Sequence, residues 1–156
     1  MKILFVCTGN TCRSPLAEAI ARKIAIERGL IDVEASSAGT SAHAGAPASD
    51  GALLVGMERN MDLTAHRAQT LSRDLVQAAD LVLAMGPHHL ERVEALGGGG
   101  RAYLLSDYAS HGASVRPISD PVGAELDVYR ATANELEEEI RRVLDRITAE
   151  RGTGAA

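Results

Sequence analysis

The stretch FVCTGNTCRSPLAEAI, residues 5–20, passes from an apolar run through a tight polar loop into a helical pattern. Both cysteines of the chain, Cys7 and Cys12, stand in that loop, with Arg13 and Ser14 directly after them. Upstream, KILFV at residues 2–6 is a short, mostly apolar run, the pattern of a strand buried on both faces. Downstream, Pro15 suits the first turn of a helix, with Ser14 as its N-cap. Leu16, Ile20 and Ile24 then fall on one helical face beside Ala17 and Ala21, and Gly29 closes the element.

The remaining chain alternates in the same way. DVEASSAG (32–39), DLVLAM (80–85) and RAYLL (101–105) read as further strands. Helices are expected over 47–60, 71–79, 87–96 and about 125–149, with a loop rich in Gly, Ser and Pro over roughly 106–123. The last helix carries the stripe Leu136, Ile140, Val143, Leu144 and Ile147. This order predicts an α/β fold. The expected form is a single-domain four-stranded parallel sheet with helices on both faces, and the loop after strand 1 is the candidate phosphate-binding loop whose chemistry is taken up below. That loop lies at the carboxyl edge of the sheet, where such folds bind ligands. The domain is expected over 1–150, with 151–156 as a frayed C-terminal tail.

Composition narrows the partners. Aromatic residues are only 3% of the 156, so Val, Leu, Ile and Ala must build the core. A net charge of -5 argues against nucleic acid, which needs a basic surface, but leaves room for one local anion site. No apolar run approaches the about 18 residues of a membrane span. The opening MKILFVCTGN is too short in its apolar part for a signal peptide. These features place the chain in the cytoplasm with reduced thiols and no disulfide framework.

The loop is suited to anion chemistry. Thr8, Gly9, Asn10, Thr11 and Cys12 supply backbone N–H groups between Cys7 and Arg13, and Gly9 eases the turn. The following helix N-terminus adds its dipole, and the Arg13 guanidinium can grip two phosphate oxygens. The same surroundings favour the thiolate of Cys7, and Ser14 can donate to that sulfur. One loop can therefore bind a phosphoryl group and attack it. The C-x5-R spacing alone is weak, since a buried cysteine finishing a strand would also satisfy it. The strand before, the glycine within and the Ser-Pro helix start after favour the nucleophile. Attack also needs an acid for the leaving group. Asp120, in ISDPVG at 118–123, is held extended by the proline after it.

With these residues assembled, the chain resembles the low molecular weight protein tyrosine phosphatase family. SSAG at 36–39, AHRAQTLS at 65–72 and ADLVLAM at 79–85 add to VCTGNTCRSP and the late Asp-Pro. The resemblance implies Cys7 as nucleophile, Arg13 as phosphate-binding arginine and Asp120 as general acid, then base, around a cysteinyl-phosphate. It implies Ser14 beside the thiolate, and Asn10, Ser37 and His66 in a network that holds the loop. Cys12 is implied as a redox partner able to form a reversible disulfide with Cys7. No metal and no cofactor are implied, and the partners are phosphorylated proteins, with inorganic phosphate as product.

Two features depart from the tyrosine phosphatases. Thr11 stands where they carry Ile or Leu, and Val122 and Gly123 stand where aromatic residues follow the Asp-Pro. CTGNTCRSP is most like the protein arginine phosphatase branch, and a guanidinium substrate wants the acceptors that Thr11 and Asp120 offer. Phosphoarginine is therefore the expected target, with phosphotyrosine as the alternative. A non-catalytic phosphate-binding module is the remote alternative, and it would have no need of Cys7 and Asp120 together. An arsenate reductase would need cysteines beyond the two present. His88 and His89 read as solvent-exposed, and Tyr129 as structural.

Overall fold

Strand β1 (Lys2–Cys7) divides its side chains between two packed layers. Ile3, Phe5 and Cys7 turn to one layer, Leu4 and Val6 to the other. Both layers are buried, which explains why the sequence shows a continuous apolar run and no alternation. The computed structural model describes the backbone of residues 1–155 and the side chains of residues 1–151. Its four strands are all parallel, in the order β2-β1-β3-β4. The others are β2 (Glu34–Gly39), β3 (Leu81–Ala84) and β4 (Ala102–Leu104).

Helix α1 (Arg13–Glu27) returns along the sheet and buries Leu16, Ile20 and Ile24 with Ala17 and Ala21. It packs with α6 (Leu126–Ala155), whose expected stripe from Leu136 to Ile147 is fully buried. Each large aliphatic side chain so buried contributes roughly 1.5–3 kcal/mol, so this face dominates the stability. The second layer packs Val76 of α3 (Arg73–Ala78) and Val93 of α4 (Pro87–Val93) on Leu4, Val6 and Val82. Ser49 caps α2 (Asp50–Glu58) and Ser72 caps α3 with side-chain oxygens.

The structure corrects the sequence reading at four places. Ser14 is not the N-cap of α1; Cys12 holds that position without a side-chain cap bond, and Ser14 lies inside the first turn. A five-residue helix, α5 (Leu105–Ala109), occupies the start of the expected loop. It buries Leu105, Tyr108 and Ala109, an i, i+3, i+4 set too short to stand out as a period. His89 is buried. The helix expected over 87–96 breaks after Val93 into a wide turn, Glu94–Gly98, in which Gly97 takes φ 95. Of the expected tail, 151–156, the backbone is helical through Ala155, and Ala156 lies outside the described residues. Among the described residues no helix is long and apolar enough to cross a membrane.

Cys7 ends the central strand, paired with Gly39 at the end of β2. A Cβ at position 39 would lie 2.4 Å from the Thr8 carbonyl oxygen and 3.0 Å from the Asn10 nitrogen. Both are backbone atoms, which cannot swing aside. Gly39→Ala should therefore cost about 2 kcal/mol or more, at the upper end of overpacking. A lowered urea midpoint measured by circular dichroism tests this, and an unchanged midpoint would mean that the loop yields freely.

Candidate active site

The loop from Cys7 to Arg13 turns its carbonyls outward. Cys7 O accepts from Thr40 N, Thr8 O from Ser41 N and Thr11 O from Ser49 N, each at 2.9 Å. Asn10 O accepts from His66 Nε2 at 2.7 Å, and Cys12 O from Leu16 N at 3.2 Å. Across a trans peptide the next N–H points opposite to the carbonyl. The amides of Thr8, Gly9, Thr11, Cys12 and Arg13 are thereby directed into the loop. That is the geometry of an anion nest, placed at the uncapped start of α1.

Asn10 makes the turn possible. Its φ is 56, a left-handed conformation that asparagine tolerates better than most residues. Its Oδ1 accepts the Gln69 amide at 2.9 Å, which fixes the orientation of the carboxamide. Nδ2 then donates to Ser14 Oγ at 2.8 Å and to Ser37 Oγ at 2.9 Å. Ser37 passes its hydrogen to Glu18 Oε1 at 2.9 Å. Ser14 Oγ, which accepts from Asn10, also stands 2.8 Å from Cys7 Sγ. When Cys7 reacts as a thiolate its sulfur can only accept, and the Ser14 hydrogen is the one that meets it.

Arg13 is buried and ties the loop to the segment carrying Asp120. Its Nη1 donates to Ile118 O at 2.9 Å, and Nη2 stands 3.4 Å from Asp120 Oδ2. Ile118 N in turn donates to Met85 O at 2.8 Å, just beyond β3. The Asp120 side chain is 45% exposed, so its pair with Arg13 is worth at most about 1 kcal/mol. The backbone anchors at Ile118 therefore place the carboxylate, and the ion pair only directs it. Asp120 Oδ1 also accepts from Val122 N at 3.0 Å, holding the turn through Pro121.

The two thiols are free. Cys12 Sγ donates to Ser49 Oγ at 3.1 Å and lies 3.4 Å from Tyr129 Oη. Burial and the Cys12 contact push the Tyr129 phenol up. Thr11 is half-buried on the outer side of the loop, and Val122 is exposed. The loop residues Cys7 to Ser14 are thus joined by Ser37 of β2 and by His66 through Asn10, and Asp120 lies on the segment that Arg13 ties to the loop. The sequence reading missed Glu18, Gln69 and His89. Gln69 falls in the quoted AHRAQTLS stretch, Glu18 stands i+4 from Ser14 on α1, and His89 gave no sign of its burial. A cavity of about 560 Å³ lined by Lys2, Val33, Glu34 and Ala79 lies at the opposite, amino edge of the sheet. No group of the loop lines it.

A parallel sheet whose central strand ends in Cys7, within an amide nest closed by Arg13, defines a cysteine-dependent phosphatase. The family model for low molecular weight phosphotyrosine protein phosphatase matches residues 2–153, and the chain belongs to that family. The protein-arginine-phosphatase of Bacillus subtilis (strain 168) is 38% identical over 155 residues, 97% of this chain and 99% of that one. The low molecular weight protein-tyrosine-phosphatase PtpB of Staphylococcus haemolyticus is 40% identical over 137 residues, covering 87% and 92%. Among solved structures, the YwlE arginine phosphatase in a C7S mutant with a phosphorylated active site serine superposes with a TM-score of 0.89. It is 36% identical, and the match covers 97% of this chain and 98% of that chain.

His89 offers a test of the packing around this site. Its Nε2 lies 2.8 Å from Thr8 Oγ1. Burial first, then Arg13 and His88, lower its pKa from 6.5 to about 4. Between those values the unfolded chain binds a proton that the folded chain does not, so stability falls as pH drops from 6.5 toward 4. His89→Gln removes this loss. Urea midpoints measured across that range should fall less steeply in the variant. A slope equal to that of the parent would show that another group titrates.

Proposed function

We propose that the protein removes phosphate from phosphoarginine in proteins, through a phosphate ester of Cys7. Cys7 Sγ attacks phosphorus while the nest amides and Arg13 hold the three non-bridging oxygens. The P–N bond breaks, and Asp120, as a carboxylic acid, gives its proton to the departing guanidine nitrogen. Water then attacks phosphorus as Asp120 takes its proton, the O–P bond forms, the S–P bond breaks, and inorganic phosphate leaves a restored thiolate. The cytoplasm supplies the reducing conditions that keep Cys7 a thiol. Under oxidant, Cys12 would leave Ser49 and Tyr129 to pair with Cys7.

One observation carries the choice of phosphoarginine over phosphotyrosine: no aromatic ring is free to receive a phenyl group. The chain has three tyrosines, one phenylalanine and no tryptophan. Phe5, Tyr108 and Tyr129 are buried, and Tyr103 packs on Tyr108 with ring centroids 5.3 Å apart. After Asp120 come Pro121, exposed Val122 and Gly123 at φ 77. Thr11 adds a hydroxyl where an apolar wall would serve a phenyl ring. The arginine phosphatase relatives support the same reading.

One peptide prepared with phosphoarginine and with phosphotyrosine should show kcat/KM favouring phosphoarginine by roughly ten-fold or more, the scale of one polar contact to a charged group. Thr11→Ile should narrow the difference. A preference for phosphotyrosine in the parent would overturn the assignment. Cys7→Ser should abolish turnover in a folded protein. Asp120→Asn should slow poor leaving groups by about 100-fold or more and good ones far less. Equal slowing of both would remove Asp120 as the acid.

A further inference from the structure

The side chains of Thr8 and His89 form a pair that the chemistry above, which uses only the Thr8 amide, leaves unused. Thr8 follows Cys7 directly and is exposed. His89 is only 7% exposed and sits in the first turn of α4, packed on Gly86. A Cβ on Gly86 would stand 3.4 Å from His89 Nδ1 and 3.9 Å from Pro117 Cβ, so the imidazole borders the segment that bears Asp120. Arg13 and Asp120 both act on it electrostatically. Its Nε2 is 2.8 Å from Thr8 Oγ1, while Nδ1 is buried with no hydrogen-bond partner.

These facts set the direction of the bond. A neutral imidazole has one N–H. On Nδ1 that hydrogen would be a buried donor with no acceptor, which costs more than a bare lone pair. The hydrogen therefore sits on Nε2 and is donated to Thr8 Oγ1. The hydroxyl keeps its own hydrogen, and Thr8 is exposed, so that hydrogen can turn to a ligand held by the loop. We propose that Thr8 is a substrate-contacting residue whose hydroxyl donates to a phosphoryl oxygen, and that His89 is the positioning residue that turns it there. The proposal rests on the phosphatase reading of the Cys7 loop. No proton changes hands in this contact, which binds substrate and transition state alike and so acts on KM more than on kcat.

The test uses the full chain and two readouts, the dissociation constant for inorganic phosphate by calorimetry and the kinetics of a phosphoarginine peptide. Thr8→Val should weaken phosphate binding and raise KM by roughly ten-fold, the size of a hydrogen bond to a charged oxygen, with kcat changed much less. His89→Leu should do the same, and the double variant should be no worse than either single one. His89→Gln, whose amide N–H can stand in for Nε2–H, should restore most of the loss. Nitrogen NMR of the imidazole should place the hydrogen on Nε2. An unchanged phosphate affinity in Thr8→Val, additive losses in the double variant, or a hydrogen on Nδ1 would each overturn the proposal. Phosphate affinity is read without turnover, so a failure of the nucleophile assignment, seen as activity in Cys7→Ser, stays distinguishable.

Discussion

The left-handed turn at Asn10 is the constraint on which the rest of the site depends. Such a conformation costs a non-glycine residue about 1–2 kcal/mol. Four hydrogen bonds hold it: from Nδ2 to Ser14 and Ser37, into Oδ1 from Gln69, and into the carbonyl from His66. At about 1 kcal/mol each, they exceed the strain. The turn they secure reverses the chain between Cys7 and Arg13, drives the carbonyls outward and leaves the amides converging. It also fixes Asn10 as the donor to Ser14 and Ser37, because the Gln69 amide permits only one orientation of the carboxamide.

The sheet supplies the platform, and Arg13 joins its two ends. Cys7 is set by the register of β1 with β2, and Met85 continues β3 to receive Ile118. The guanidinium bonds the Ile118 carbonyl, so the residue proposed to hold the phosphoryl group also holds the segment of the proposed acid. Asp120 itself is half in solvent. Two backbone anchors and a proline turn do what its weak ion pair cannot.

The sequence made the parallel sheet, its strand count and the loop legible, because these rest on apolar runs and on residue types at fixed spacing. The stripe from Leu136 to Ile147 was readable for the same reason. What escaped depends on tertiary contact. Ser14 looks like a helix cap from its place before Pro15, yet its hydroxyl is engaged by Asn10 and Cys7 instead of a helix amide. His89 looks like half of an exposed pair, yet adjacent residues on a helix face different ways, and only His89 meets the core. Glu18 and Gln69 act through residues 19 and 59 positions away, Ser37 and Asn10, separations at which no local pattern operates. α5 is too short to declare a period.

The close approach of Gly39 to Thr8 and Asn10 divides the loop by its freedom to vary. On the sheet side no added carbon can be admitted, so the inner wall and the amides it supports are frozen against diversification. On the outer side Thr11 and the segment after Asp120 reach solvent and hold no other part of the loop in place. A scaffold partitioned in this way can keep one grip on phosphate through any number of sequence changes while the group that carries the phosphate is chosen anew. Redesign of its selectivity would begin at those few outer positions and leave the inner ones alone.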